Sequence, residues 1–135
     1  MTARYLVDTD WAINYLNGHQ PTVSRLHALQ PDGLAISVIS VAELYEGVLY
    51  STTPLDNERA LDALLSVAMP LGINQPITRR FGQERGRLRS TGQIIGDMDI
   101  LIGATALVHK LTLLTNNLKH FSRFVDLQCE AIAIG

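Results

Sequence analysis

The chain has 135 residues, 47% apolar and 18% charged, which excludes a disordered polymer and predicts a packed globule burying about two thirds of its unfolded surface. A formal net charge of −2 excludes a protein that coats nucleic acid by bulk electrostatics, and a single cysteine, Cys129, excludes an internal disulfide. The lone thiol, an opening "MTARYLVD" without a basic-then-apolar leader, and uncharged runs well short of the ~20 residues of a membrane span predict a soluble, cytoplasmic, single-domain protein over 1–135 with no membrane partner.

The first element is a buried strand in "RYLV", ending at Asp8. A helix follows in "TDWAINYLNG", which Gly18 can close, and "PTVSRLHALQ" is a second short helix with proline at its favoured start. "LAISV" reads as the second strand and "ISVAELYEGVLYS" as a helix. "DNERALDALLSVA" is helical with acids in its first turn, and "MPLGI" is a strand weakened at its start by Pro70. From Pro76, "ITRRFGQERGRLRSTG" is a helix ending in a turn. "IGDMDILIGATALV" holds the next helix, "LTLLT" a strand, "NNLKHFSRF" a loop or short helix, and "LQCEAIAI" a closing edge strand. This end-to-end alternation predicts an α/β sandwich around a mainly parallel sheet. Sites in such folds form beyond the carboxyl ends of the strands.

Asp8 directly follows "YLV". It either caps the next helix or, because Asp10 can cap equally well, is free for chemistry. Glu43 lies on a helix among Val41, Ala42 and Leu44; it is either a surface charge or a buried carboxylate that needs a cation or donors. The run from Ile100 to Val108 carries no charge and has apolar groups all round, so that helix is buried and its N-terminus opens into the interior or a crevice. Asp97 and Asp99 stand at this start, where the helix dipole favours a carboxylate. Two residues turn a helix by about 200°, so they point to nearly opposite sides. Asp97 fits the cap after Gly96, and Asp99 falls in the first turn.

Thr115, Asn116 and Asn117 end the strand "LTLLT" and serve either as turn residues or to orient a water and offer a neutral oxygen. If Asp8, Glu43 and Asp99 cluster, they repel, and at least one pKa rises unless a hard divalent ion sits among them. Oxygen donors without zinc-like His or Cys spacing select Mg2+ or Mn2+. His19, His27, His109 and His120 are scattered, and only His109, near a helix C-terminus, has an evident place.

In order and spacing, "LVDTD", "SVISVAELYEG" and "GDMDILIGATALVHKLTLLTNNLKHF" resemble the PIN-domain ribonucleases of the VapC toxin type, from type II toxin–antitoxin systems. "FGQERGRLRSTG" precedes the third acid as it does in that family. The resemblance implies a three-layer α/β/α sandwich that hydrolyses RNA phosphodiester bonds with Mg2+ or Mn2+. It matches Asp8, Glu43 and Asp99 to the family's three acids, as catalytic residues and metal ligands. The fourth position, often an acid, falls in "TNN" at Asn117 or Asn116 and is neutral here. Thr9, Asp97, Thr115 and Asn116 would then orient ligands or waters. Asp10 stands where Asn or Ser is common, and Asp97 lies outside the pattern. A cognate antitoxin, a homodimer and a structured RNA such as tRNA are further implications of the resemblance.

"RRFGQERGRLR" sets Arg79, Arg80, Arg85, Arg87 and Arg89 against Glu84 alone. On a helical wheel Ile77, Phe81 and Leu88 form a buried stripe, with Arg80 and Arg87 on one flank and Arg79, Arg85 and Arg89 on the other. The arginines either position RNA phosphates, and by resemblance touch the antitoxin, or merely cover apolar surface. Glu84, beside the stripe, is expected to pair with one of them.

Two other readings compete. "LVDTD" also matches the strand end of aspartate-nucleophile phosphatases, with Asp8 attacking and Asp10 as acid and base. That scheme needs a well-placed lysine, and only Lys110 and Lys119 exist, while Glu43 is left unemployed. A non-catalytic module that binds RNA or protein through a degenerate acidic pocket is the third, kept open by the neutral fourth position.

Overall fold

The computed structural model describes residues 2–133. Its sheet has five parallel strands, β1 (Tyr5–Val7), β2 (Leu34–Ser37), β3 (Ala68–Leu71), β4 (Thr112–Leu114) and β5 (Cys129–Glu130), in the order β3-β2-β1-β4-β5. Between and after them run α1 (Thr9–Leu16), α2 (Gln20–Leu29), α3 (Val38–Leu49), α4 (Pro54–Leu65), α5 (Gln75–Ser90), α6 (Asp97–His109) and the single turn α7 (Leu118–Phe121).

Strand residues alternate between two apolar cores because successive side chains leave a strand on opposite faces. Val7, Ile36 and Leu114 join Trp11, Leu26, Leu44, Leu61 and Leu64 on one face, under α1 to α4. Leu6, Ala35 and Leu113 join Leu88, Ile100, Ile102 and Phe121 on the other, under α5 to α7. Register matches this split: Val7 lies opposite both Ile36 and Leu114. A sheet buried on both faces needs continuous apolar strands, and "YLV", "LAIS" and "TLL" meet that need. The result is the parallel α/β sandwich that the alternation of elements anticipated, in the three-layer α/β/α form that the resemblance implied.

Pro70 falls in β3, the edge strand, where its missing donor is tolerated. Gly33 turns the chain into β2 at φ 91°, and a Cβ there would stand 2.8 Å from Ala3 Cα. The charge-free helix α6 buries Ile100, Ile102, Gly103, Ala104, Thr105 and Ala106, so it is covered nearly all round. A Cβ on Gly103 would lie 2.9 Å from the Phe124 ring, which fixes how closely that ring and α6 approach.

The closing strand is shorter than "LQCEAIAI" predicted, with Cys129 and Glu130 alone on the ladder. Ile132 instead spends both its backbone groups on the Asn116 side chain, and Ile134 lies outside the described residues. Among the described residues no helix is long and apolar enough to cross a membrane.

Candidate active site

With strand order 3-2-1-4-5, the direction of winding reverses between β1 and β4, and a crevice opens beyond their carboxyl ends. Asp8 follows β1 there and Thr115 follows β4. The Asp8 backbone N–H donates to Leu114 O at 3.0 Å, so the two strand ends are stitched together at the crevice floor.

Asp8 is 5% exposed. Its Oδ1 accepts from the Thr9 N–H at 2.8 Å, the helix-start bond of α1, and its Oδ2 accepts from the Thr115 hydroxyl at 2.7 Å. Asp8 is therefore both the cap of α1 and a group committed to the crevice. Burial pushes its carboxyl pKa up from 3.8 to about 7, with the Asp10 and Asp99 charges adding to the rise, while the Thr115 and Thr9 bonds oppose it. Loss of solvent outweighs the mutual repulsion that the acid pattern anticipated.

A chain of hydrogen bonds runs outward from Asp8 in both directions. On one side the Thr9 hydroxyl donates to Glu43 Oε1 at 2.7 Å. That hydroxyl has one proton, so its 2.9 Å contact with Ser40 Oγ is one in which Ser40 donates. On the other side the Asn117 N–H donates to Thr115 Oγ1 at 3.0 Å. The Asn117 side-chain amide stands 3.0 Å from His120 Nδ1, which is itself 3.0 Å from Asp99 Oδ2. Glu43, Asp8 and Asp99 are thus members of one connected network. They do not close on a common point: among the described residues, no three His, Cys, Asp or Glu side chains converge closely enough to hold an ion by direct bonds alone.

Asp10 and Asn116 have been drawn into the frame of the crevice. Asp10 Oδ1 accepts from the Trp11 N–H at 2.8 Å and Oδ2 from the Asn116 N–H at 2.9 Å. Burial raises the Asp10 pKa, and these backbone donors offset only part of the rise. Both Asp10 oxygens face backbone donors of the frame, and Glu43 is drawn into the Asp8 network, which the phosphatase reading leaves unexplained. Asn116 Oδ1 accepts from Trp11 Nε1 and from the Ile132 N–H, each at 2.9 Å, and its Nδ2 donates to Ile132 O. Three of its four hydrogen-bonding sites are thereby used. Of the two asparagines, only Asn117 turns its side chain to the acids.

Asp97 departs from the cap assigned to it. Gly96 is the α6 cap, in extended conformation at φ −60° and ψ 146°, without a side-chain bond. Asp97 is the first helical residue and swings outward, accepting from Arg85 Nε at 2.8 Å with its side chain 61% exposed. The half-turn between Asp97 and Asp99 sends only Asp99 to the crevice.

The basic helix α5 divides more sharply than its wheel implied. Glu84 is buried and takes two arginines, Arg80 Nε at 3.0 Å and Arg87 Nη2 at 2.9 Å; Arg87 also donates to Arg123 O. Arg80 and Arg87 thus hold the buried Glu84 in place. Arg85 is held by Asp97, whereas Arg79 and Arg89 are exposed with no acidic partner among the described residues. Beside Glu43, a groove of about 270 Å³ between α1, α3 and α4 is lined by Ile13, Leu16, Leu44 and Val48.

His120 was left without a role by the sequence. It stands three residues after Asn117, a spacing that puts both on one side of a helical turn, but "NNLKHFSRF" reads as a loop as readily as a helix. Ser40 was missed as well, three residues before Glu43 on α3.

Known proteins share this fold. The family model described as PIN domain matches residues 5–127. The ribonuclease VapC2 of Rickettsia felis is 34% identical over 128 residues, 93% of this chain and 96% of the relative. The ribonuclease VapC19 of Mycobacterium tuberculosis is 36% identical over 125 residues, 91% of this chain and 96% of the relative. In the crystal structure of VapBC2 from Rickettsia felis bound to a DNA fragment from their promoter, one chain superposes with a TM-score of 0.90 at 33% identity, covering 96% of this chain and 98% of that one. By family model, sequence and fold together, the chain belongs to the PIN-domain family, in its VapC branch.

Proposed function

We propose that this chain is a metal-dependent endoribonuclease, the toxin of a toxin–antitoxin pair. One observation carries the reading: a buried carboxylate at the sheet's reversal point, Asp8, lies in one network with Glu43, through Thr9, and with Asp99, through Thr115, Asn117 and His120. Its relatives VapC2 and VapC19 are named ribonucleases, which supports RNA as the substrate.

The donor set fits Mg2+ or Mn2+. Every candidate ligand is an oxygen, and the spread of the three acids suits an ion that keeps several waters and is held by one or two carboxylates. Asp8 and Asp99 would hold it, with Glu43 acting directly or through water. When bound, such an ion lowers the pKa of a bound water and stabilises charge on the phosphate. Thr9 and Thr115 set the two Asp8 oxygens, and Thr9 fixes one Glu43 oxygen. Asn117 helps to orient the Asp99 side of the crevice through His120. Arg79 and Arg89 hold RNA phosphates, and Arg85 can exchange its exposed bond to Asp97 for a phosphate at little cost.

The antitoxin reading draws on the structural likeness to VapBC2. Its segment would use the apolar groove beside Glu43 and the free arginines, and thereby block the crevice. A homodimer and a structured RNA such as tRNA complete the proposal.

Purified protein incubated with a total tRNA pool and unrelated RNAs in Mn2+ tests it. Discrete internal cleavage, lost with a chelator and in Glu43→Gln, is expected. Absence of cleavage across all RNAs favours the binding module, and cleavage that survives chelation removes the metal from the mechanism.

A further inference from the structure

We propose that His120 is a positioning residue for Asp99, its Nδ1–H pinning one carboxylate oxygen so that the other is presented to the divalent ion. The inference rests on the metal site proposed above and assigns one of this chain's own residues to its assembly.

Nδ1 of His120 lies 3.0 Å from Asp99 Oδ2 and 3.0 Å from the Asn117 side-chain amide. One ring nitrogen cannot donate to the first and accept from the second at once. An ionised carboxylate can only accept, and a bond to it is the stronger of the two, so the proton stands on Nδ1 and points to Asp99. The Asn117 amide then turns its oxygen, not its nitrogen, to that same N–H.

The consequence for Asp99 is geometric. Its side chain is 28% exposed and stands in the first turn of α6, with no other hydrogen bond from the described residues. Without His120 no hydrogen bond from the described residues would fix its χ2. With His120 in place Oδ2 is engaged, and Oδ1 accepts no hydrogen bond from the described residues. A carboxylate fixed in this way loses little further freedom when it meets a cation. His120 is in turn fixed by its packed neighbour: α7 carries Phe121, fully buried in the core beneath α6. Asn117 N is held by Thr115 Oγ1, whose hydroxyl holds Asp8, so the two aspartates are oriented by one continuous set of bonds.

The test measures Mn2+ binding by calorimetry on the intact protein, wild type against His120→Ala, His120→Gln and His120→Asn. Asn places an amide nitrogen near the position of Nδ1, whereas Gln carries its amide one carbon further out. Partners that orient a metal ligand typically carry ~10–100-fold in affinity. His120→Ala and His120→Gln are expected to weaken Mn2+ binding by about that factor, and His120→Asn to retain it within about threefold. Equal melting temperatures in chelator establish that all four proteins fold. Unchanged Mn2+ affinity in His120→Ala, or equal loss in the Asn and Gln variants, overturns the positioning role while leaving the metal site standing. A wild-type protein that binds no Mn2+ overturns both.

Discussion

Burying Asp8 puts a destabilising charge at the centre of the sheet, and replacing it with asparagine should stabilise the metal-free protein. In the fold its pKa lies at about 7, against 3.8 when unperturbed. Between those values the folded state binds more protons than the unfolded state, so stability falls as pH rises through that window and levels off above it. At 1.36 kcal/mol per unit, the charge costs roughly 4 kcal/mol at pH 8 and about 1.6 kcal/mol at pH 5. Asp8→Asn keeps an oxygen for the Thr9 N–H, and the charge-assisted bond from Thr115 that it gives up is already counted in the folded pKa.

Urea unfolding of both proteins in chelator, at pH 5 through 8, reads this directly. The stability of Asp8→Asn relative to wild type is expected to rise by about 2.5–3 kcal/mol from pH 5 to pH 8, ending roughly 4 kcal/mol above wild type. That rise does not depend on how the hydrogen bond to Thr115 is valued. Adding Mg2+ at pH 8 should restore wild type by about 2.7 kcal/mol at 100 times the dissociation constant, and leave the variant unmoved. A relative stability that stays flat with pH refutes the burial argument. A Mg2+ response shared by both proteins refutes Asp8 as a ligand.

Asp97→Asn should leave RNA cleavage within about threefold, because an exposed ion pair is worth at most ~1 kcal/mol, while Asp99→Asn should lower it by at least ~100-fold. Equal losses in cleavage assays would end the division drawn between these neighbours. Glu84→Ala strands two arginines and should cost about 2–4 kcal/mol in urea unfolding, somewhat below a fully buried pair because each arginine is a third exposed. A change under ~0.5 kcal/mol would show that Arg80 and Arg87 are not held by it. Arg79→Ala with Arg89→Ala should weaken RNA binding and flatten its log–log salt dependence by about 1.4, roughly 0.7 for each phosphate no longer neutralised. An unchanged slope in filter binding would return both arginines to plain surface.

Much of this crevice was legible because strand ends and helix starts carry local signals. Asp8 follows a run that only a doubly buried strand would need, and the charge-free stretch after Asp99 marked a helix covered on all sides. Glu84 was readable from the wheel, since its position beside Ile77 and Leu88 left it no route to water. The cap of α6 was not. Gly96 takes that place in extended conformation, and the partner that draws Asp97 outward, Arg85, belongs to another helix. Asn116 likewise acquires its role from Trp11 and Ile132, distant in sequence, which no reading of "TNN" as a turn could supply. The closing strand failed for the same reason: a side chain from the crevice competes with the ladder for the backbone of Ile132. His120 shows the converse case, a visible spacing without the helical period that gives it meaning.

The central claim is that Asp8, Glu43 and Asp99 serve one divalent ion. Crystals grown with Mn2+, measured at its absorption edge, test it most directly. The expected anomalous peak lies in the crevice beyond β1 and β4, bonded to at least one of the Asp8 and Asp99 carboxylates, with Glu43 reaching it directly or through water. A peak elsewhere, or an empty crevice in protein that still cuts RNA in Mn2+, would contradict it.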